Sequence, residues 1–296
     1  MKQDEISYFE WTRKFATEQA CRRLLEQVRW GKDGFRCPRC DHDQAYHVKS
    51  RALHECKRCR RQTSVTAGTM FDRSRVPLTK WFAAIYLVGT DKGGISALRL
   101  SKMIGVEWRT ARLMLQKLRA AMADRDRRYL LDGLIELDDA YVGGKRPGKR
   151  GRGAQGRKPV LFAVQNNGQG AGFMHARVVD SVNSQTVEQF CSRLCAGARV
   201  RSDAFSGLRV ISKSHEHYPK VTPPDQVADW LPLVHIVISN LKTFLLGTFH
   251  GVSHQYMQEY VDEFVYRFNR RRWEKQIPLR LLQAAVDTSP MRLILT

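Results

Sequence analysis

The sequence predicts an α/β second half, preceded by a small metal-stapled ribbon and an all-α helical pair. Three observations carry this: four cysteines in two C-x-x-C pairs, two short amphipathic stretches joined at Gly105, and a series of strand-like runs from residue 134 onward. The expected boundaries are 1–72 for the ribbon, 73–130 for the helical part and 131–296 for the α/β part.

In the first part, residues 17–25 are helix-like, and Arg29-Trp30 leads into Cys37-Pro38-Arg39-Cys40 and Cys56-Lys57-Arg58-Cys59. Each short turn aims two thiolates at one tetrahedral ion, so one structural Zn²⁺ on Cys37, Cys40, Cys56 and Cys59 is expected. Short alternating pieces such as His47-Val48 and Ala52-Leu53-His54 suit a ribbon of small strands, and a domain this small depends on its metal. The cations inside the knuckles and a reducing cytosol argue against disulfide or redox pairs. Cys21, Cys191 and Cys195 have no such spacing; Cys191 and Cys195, one helical turn apart, read as buried apolar packing.

A helix starts at Pro77-Leu78-Thr79-Lys80-Trp81, with proline near the first turn. After Gly93-Gly94, two amphipathic helices meet at Gly105, with Leu98, Leu100, Met103, Ile104, Ala111, Leu115 and Leu118 as the shared inner face. That is a helix-turn-helix pattern. Its second helix is expected to turn Arg109, Arg112 and Lys117 outward, where a major-groove reader needs donors.

From residue 131 the texture changes to strands at 134–138, 160–165, 173–179 and 199–203, with a helix at 184–195 before the last. Three strands, then a helix and a strand, begin a ribonuclease H-like fold. A long helix at 255–271 places Met257, Tyr260, Val261, Phe264 and Phe268 on one apolar face, which reads as core. Asp138 and Asp203 end two of the strand-like runs. Aspartate is favoured in turns, but carboxylates at strand ends in a chain of formal charge +21 and pI near 10.0 also suit a divalent ion beside a polyanion. Between the first two strands, residues 145–158 hold seven cations interspersed with glycine. Lys145, Arg146, Lys149, Arg150 and Arg152 are therefore expected to contact phosphates. The N-terminus lacks the layout of a signal peptide and no run of eighteen apolar residues occurs, so a cytoplasmic, nucleoid-associated protein without a membrane partner is expected.

Taken together these residues resemble bacterial insertion-sequence transposases with an N-terminal zinc ribbon, a helix-turn-helix and a DDE-type, ribonuclease H-like catalytic domain. The resemblance rests on the knuckles, on Thr66-Ala67-Gly68-Thr69-Met70-Phe71, on Glu136-Leu137-Asp138-Asp139-Ala140-Tyr141-Val142-Gly143-Gly144-Lys145 and on Ser202-Asp203-Ala204. It extends to His235, to Gly247-Thr248-Phe249-His250 and to Tyr260-Val261-Asp262-Glu263-Phe264-Val265-Tyr266-Arg267-Phe268-Asn269-Arg270-Arg271. It implies that Asp138 and Asp203 are the first two members of the catalytic triad, with Asp139 a neighbour. Many relatives carry Glu five residues after the His; here Asn240 stands there, and with Lys242 it matches the branches known for Asp-Asp-Asn followed by Lys. A carboxamide can coordinate magnesium but brings no charge. Glu259, Asp262 or Glu263 on the last long helix is the alternative third ligand, Glu263 the best of them, and Asn240 would then be a helix cap or turn residue.

The resemblance further implies a mechanism using two Mg²⁺ (or Mn²⁺) ions, one on Asp138 and Asp203, the other shared by Asp138 and Asn240. Water would first free the element's 3′ end, and that end would then attack target DNA. The partner is double-stranded DNA, at element ends and target, bound by a homodimer or higher multimer. Competing expectations are a DNA-binding regulator with a relic catalytic domain and a nuclease of the same fold that does not join strands.

Overall fold

The computed structural model describes residues 6–31, 33–142, 158–223 and 227–290. The chain divides into two compact units, Met1–Arg125 with Trp273–Thr296, and Asp126–Arg272. Thus the ribbon and the helical pair share one unit. The segment from Trp273 on, expected to close the α/β part, is grouped with them.

In the first unit α1 (Tyr8–Lys14) opens with a capping box, Ser7 and Glu10 each accepting from the other's backbone N–H. Thr17 caps α2 (Glu18–Trp30), which buries Cys21 and Leu25. Three short antiparallel strands follow in the order β1-β2-β3: β1 (Ala45–Val48), β2 (Leu53–Cys56) and β3 (Gln62–Thr63). Pro77 precedes α3 (Leu78–Thr90), whose buried face carries Trp81, Phe82, Ile85 and Val88. The chain's last helix, α10 (Ile277–Asp287), packs against α3. The approach is tight at Gly89, where a Cβ would lie 2.9 Å from the Pro278 ring and 3.0 Å from its backbone. That contact, with buried Leu281, Leu282 and Ala285, explains why α10 belongs to this unit.

The helical pair is α4 (Ala97–Ile104), capped by Ser96, and α5 (Trp108–Asp126). Gly105 sits between them at φ 62°, the left-handed region that a side chain disfavours. The shared inner face is narrower than its sequence pattern suggests. Leu100, Ile104, Ala111, Leu115 and Leu118 are buried, whereas Leu98 and Met103 are 56% and 47% exposed. On a helix, Leu98 falls roughly 160° from Leu100, so one face cannot bury both.

The second unit is built on a five-stranded sheet in the order β6-β5-β4-β7-β8. The strands are β4 (Leu134–Val142), β5 (Lys158–Asn166), β6 (Ala171–Val178), β7 (Arg199–Asp203) and β8 (Glu216–Lys220). The first three run antiparallel; β7 lies parallel to β4, and β8 parallel to β7. This strand order and mixed direction make the unit ribonuclease H-like. Alternation along β4 and β5 divides two cores. Ile135, Leu137, Leu161 and Ala163 pack with Val187, Phe190 and Cys191 of α6 (Ser184–Cys191). On the other face Val160, Phe162 and Val164 meet α8 (Pro232–Phe249) and α9 (Met257–Asn269), with the short α7 (Val227–Trp230) just before α8. Among the described residues α8 alone is long and apolar enough to cross a membrane, and its apolar residues Val234, Val237, Leu241 and Leu245 cover the sheet.

Two sequence expectations shift here. The helix at 184–195 stops at Cys191, and the Cys195 N–H turns back to the Leu131 carbonyl instead of continuing it. The helix at 255–271 starts as a 3₁₀ turn, His254–Tyr256, and ends at Asn269. Asn269 is held by the sheet: its Nδ2 donates to the Met174 carbonyl and its Oδ1 accepts from the Met174 N–H. Beside it the Arg270 guanidinium, 4% exposed, pairs with Asp126 at 2.6 Å and stacks 3.6 Å from the Tyr266 ring centroid. Arg270→Ala would leave the Asp126 carboxylate buried without that partner, so about 3–5 kcal/mol of stability should be lost. Urea unfolding followed by circular dichroism checks this; a loss below about 1 kcal/mol would overturn it.

Candidate active site

In the ribbon, the two knuckles bring four sulfurs together with ligand atoms all within 4.8 Å of one another. Cys37 and Cys59 Sγ lie 3.5 Å apart, Cys40 and Cys56 Sγ 3.6 Å, close to the separation set by four Zn–S bonds of about 2.3 Å. Each knuckle closes in the same way. The residue after its second cysteine, Asp41 or Arg60, has positive φ and donates its N–H to the first cysteine's carbonyl. Burial raises the Cys37 thiol, but the N–H groups of Arg39 and Cys40 and the Cys59 side chain outweigh it and bring it down to about 6. At Cys40 the His42 N–H lowers the pKa, and burial with three neighbouring sulfurs overrides it to about 12. Four sulfurs so close cannot all ionise without a cation among them. The set fits one tetrahedral zinc. A second group, Glu26, His47 and His54, also gathers ligand atoms within 4.8 Å, but His54 is stacked on Phe35 and edge-on to Trp30, a packing role.

On the helical pair, Arg109 is exposed near the start of α5 and Arg112 is half-buried one turn on. Lys117 differs from expectation. It is half-buried and donates to the Met70 carbonyl at 3.3 Å, and desolvation lowers its pKa. Lys117 thus supports the first unit from inside and does not face outward with the two arginines.

The sheet brings Asp138 and Asp203 side by side. The β4/β7 ladder ends at Leu137 opposite Ser202, so the next register position sets Asp138 beside Asp203 on one face, strands about 4.8 Å apart. Asp203 closes β7. Asp138 does not end its strand as the sequence suggested, because β4 runs on to Val142 paired with β5. What ends at Asp138 is the pairing with β7, and that opens the edge where both carboxylates emerge. Asp138 Oδ1 accepts from the Asp139 N–H at 2.8 Å, and Asp203 Oδ1 from the Phe205 N–H at 3.2 Å, so backbone groups orient both. Two partly exposed carboxylates on adjacent strands are a donor set suited to a divalent ion.

Glu136, two residues before Asp138 and on the same face, is a residue whose role local sequence concealed. It is fully buried, and its Oε2 accepts from the N–H groups of Leu233 and Val234 at 2.8 and 2.9 Å. Oε1 accepts from Asn166 Nδ2 at 2.8 Å. A carboxylate at the N-terminus of α8 satisfies the orphan donors there and complements the helix dipole. It also pins the first turn of α8 to β4. From that anchor α8 directs His235 toward the site, its Nδ1 3.8 Å from Asp138 Oδ2. Burial lowers the His235 pKa; Glu136 raises it and Lys242 lowers it further, so Lys242 lies within electrostatic reach of the ring. Asn240 is exposed and stands about 140° round the helix from His235.

The alternative acids sit on α9, which packs against β6. Glu263 is 1% exposed and bound by Arg267 at 2.9 Å. Burial pushes the Asp262 carboxyl up to about 7, against Gln258 and Arg127, with Asp126 and Glu259 adding to the rise. An unfolded aspartate titrates near 3.9, so both states are protonated at pH 3. Between about 4 and 7 the unfolded chain gives up the proton first, and stability falls as pH rises. Asp262→Asn is expected to add about 1–3 kcal/mol at pH 8 and nothing near pH 3, measured by urea unfolding at both; equal effects at the two pH values would overturn the assignment.

Three further side chains flank Asp203. Trp230 Nε1 donates to the Ser202 carbonyl at 2.9 Å, and the Arg201 guanidinium and Lys220 ammonium lie 4.9 and 5.2 Å from its ring centroid. Lys220 pairs with Asp203 in register. No sequence spacing links these three; the parallel β7/β8 pairing brings Arg201 and Lys220 together, and the Trp230 bond to the Ser202 carbonyl adds the ring from α7. Lys145, Arg146, Lys149, Arg150 and Arg152 lie outside the described residues.

Two family models match the chain. The ISXO2-like transposase domain matches residues 130–269, and the transposase zinc-ribbon domain matches residues 16–62. Between them the two matches span more than half of the chain. The chain belongs to the insertion-sequence transposases with an N-terminal zinc ribbon and a DDE domain. A curated relative of this chain is an uncharacterized protein in transposable element ISH50 of Halobacterium salinarum, 33% identical over 177 residues. That match covers 53% of this chain and 57% of the relative's length. Among solved structures, the Mos1 strand transfer complex aligns over 72% of this chain and 79% of that chain at 13% identity and TM-score 0.30. The Mos1 paired-end complex with the left transposon end aligns over 69% and 77% at 11% identity and TM-score 0.29. Superpositions this loose add nothing to the strand order, on which the fold assignment stands.

Proposed function

We propose that this transposase binds the terminal inverted repeats of its element and catalyses metal-dependent 3′-end cleavage and strand transfer. The observation that carries the reading is the pair Asp138 and Asp203, emerging side by side where the β4/β7 ladder ends. Mg²⁺ or Mn²⁺ held there would activate the attacking oxygen and stabilise charge on the leaving oxygen. The chain's own residues do the rest. Backbone N–H groups fix both carboxylates, and Glu136 fixes the helix that overlooks them. Lys242, Lys220 and Arg201 supply positive charge to hold a phosphodiester against the acids. The cations of residues 145–158 would add phosphate contacts, and Arg109 and Arg112 base or phosphate contacts to the element ends. Paired ends would be held by a dimer or larger multimer in the bacterial cytoplasm.

The test incubates the full-length protein with DNA carrying the element's ends and target DNA in Mg²⁺ or Mn²⁺. Nicked 3′ ends and joined products are expected. Repeat binding without metal-dependent cleavage would establish the regulator instead, and cleavage without joined products the nuclease.

A further inference from the structure

The motif Thr66-Ala67-Gly68-Thr69-Met70-Phe71 has no part in the acidic pair or in the sulfur cluster. Inside the first unit it forms a turn that is pinned from within. Gly68 takes φ 76°, Met70 and Phe71 are buried, and the Met70 N–H donates to the Ala285 carbonyl at 3.1 Å. Arg29 donates to the Ser64 and Val65 carbonyls at 3.3 and 2.7 Å, and Lys117 to the Met70 carbonyl. Trp81 Nε1 donates to Ser74 Oγ at 2.9 Å. The chain from Ser64 to Ser74 is thus held at several points by the helices around it.

Together with Arg22 of α2 and Arg51 before β2, Ser64, Thr66, Arg73 and Ser74 of this segment line a cleft of about 380 Å³. Donors there are left over. Ser74 Oγ already accepts from the Val76 N–H and from Trp81, and its own hydroxyl proton has no acceptor among the described residues. The Ser64 and Thr66 hydroxyls lie 3.0 Å apart, so one donates to the other and the second proton remains. Arg51 is held by the neutral Gln62 Oε1 at 3.0 Å, and exposed Arg73 has no ion-pair partner among the described residues. Arg22 meets Glu18 only at 4.0 Å, an exposed and weak pair.

The two carboxylates on the cleft wall are engaged elsewhere. Glu18 Oε1 accepts from the Thr79 N–H at 3.0 Å. Burial lowers the pKa of Arg29 and Lys117 and Asp72 raises both, so the Asp72 charge is met from inside. Backbone strain gathers at the same place. Ala52 and Arg73, both on the wall, stand at φ 49° and 54°, where a side chain is disfavoured. Such outliers persist where the surroundings impose them, and they cluster at binding sites.

We propose that this cleft is a DNA-backbone site, in which Arg51 and Arg73, with the hydroxyls of Ser64, Thr66 and Ser74, hold a phosphodiester of the duplex. Planar guanidiniums and short hydroxyls are the donors that phosphate oxygens take. The contact reads no base; it sets the position of the first unit along the duplex, and the motif is the frame that keeps the donors in place. The cleft lies beyond the acidic site and rests on the transposase reading only in taking DNA as the partner.

The experiment titrates two labelled duplexes, one carrying an element end and one unrelated, with the zinc-loaded full chain over about 50 to 300 mM KCl, without added Mg²⁺ or Mn²⁺. The double variant Arg51→Gln/Arg73→Gln is expected to bind both duplexes about eight-fold more weakly near 0.1 M KCl. Its slope of log K against log[KCl] should be shallower by about 0.9, the signature of one lost phosphate contact. Arg73→Gly, which suits the positive φ and so protects folding, should lose affinity as Arg73→Gln does. Arg13→Gln, on exposed α1 outside the cleft, should match the parent. A parent-like slope in the double variant, or an equal loss in Arg13→Gln, would overturn the cleft and leave the transposase reading standing. Unchanged binding in Arg73→Gly would make Arg73 a turn residue only and refute its role. A loss confined to the element-end duplex would replace backbone contact with base reading. A parent that binds neither duplex would sink the DNA partner itself, and the cleft with it.

Discussion

Alanine at Asp138 is expected to cut DNA-end cleavage by about 10³-fold or more, with repeat binding left within a few-fold of the parent. The size follows from what the carboxylate does. A metal ion stabilises the charged transition state by several kcal/mol, and each 1.36 kcal/mol is ten-fold in rate. Asp138 is the member of the pair also approached by His235, so its removal disconnects both the Asp203 side and the α8 side of the site. Asp203→Ala should act as strongly, and the double variant little worse than either single one, since the two work as one unit. The side chain is only partly buried on a strand that stays paired with β5 through Val142, so folding should survive. Single-turnover cleavage of labelled element ends gives the rates, and gel-shift titration gives the binding. Undiminished cleavage in Asp138→Ala would sink the assignment of the site.

Zinc removal from the ribbon is expected to have the second largest effect. The buried cluster there consists of Phe35, Cys37 and Cys56, with Trp30, Cys40, Ala45 and Cys59 packed against it. All four ligands are thus also members of the core. Structural zinc sites contribute about 10–16 kcal/mol of apparent binding energy at pH 7, far more than so few side chains can supply by burial. A strong chelator, or Cys56→Ser at a position with no exposure, should therefore abolish amide protection across 33–63. Strands β4 to β6, with their own core, should keep theirs. Hydrogen exchange read by mass spectrometry separates the two regions, and elemental analysis should find one zinc per chain. Unchanged protection of β1 and β2 after zinc loss would refute a metal-dependent ribbon.

The elements that sequence reveals are those whose signal is local. The C-x-x-C spacing declares the sulfur cluster because two thiolates three residues apart can reach one ion without knowledge of the rest of the chain. Gly105 declares the turn of the helical pair, since its φ of 62° disfavours a side chain. The β4, β5, β6 and β7 runs are legible because each is apolar and bounded by turn residues, and Asp203 ends β7 as its run suggests. Where the sequence misplaces something, a distant partner decides. Lys117 reads as an outward cation until the Met70 carbonyl is found beside it. Asp138 reads as a strand terminus until β5 is seen to carry β4 on to Val142. The sequence runs the α/β part on to residue 296 because nothing near Trp273 announces that α10 packs against Gly89.

The sequence by itself marks the two cysteine pairs, the helical pair, the first four strands of the α/β part and the two aspartates, all of which depend on spacing along the chain, but not the edge strand β8. Tertiary structure alone decided that those aspartates stand on adjacent parallel strands, that Glu136 holds the N-terminus of α8, and that His235 and Asn240 lie on different sides of that helix. The physical reason is that a metal site is a set of directions as well as residues. Side-chain direction on α8 is set by where its first turn is fixed, and the group that fixes it comes from a strand ninety-seven residues earlier.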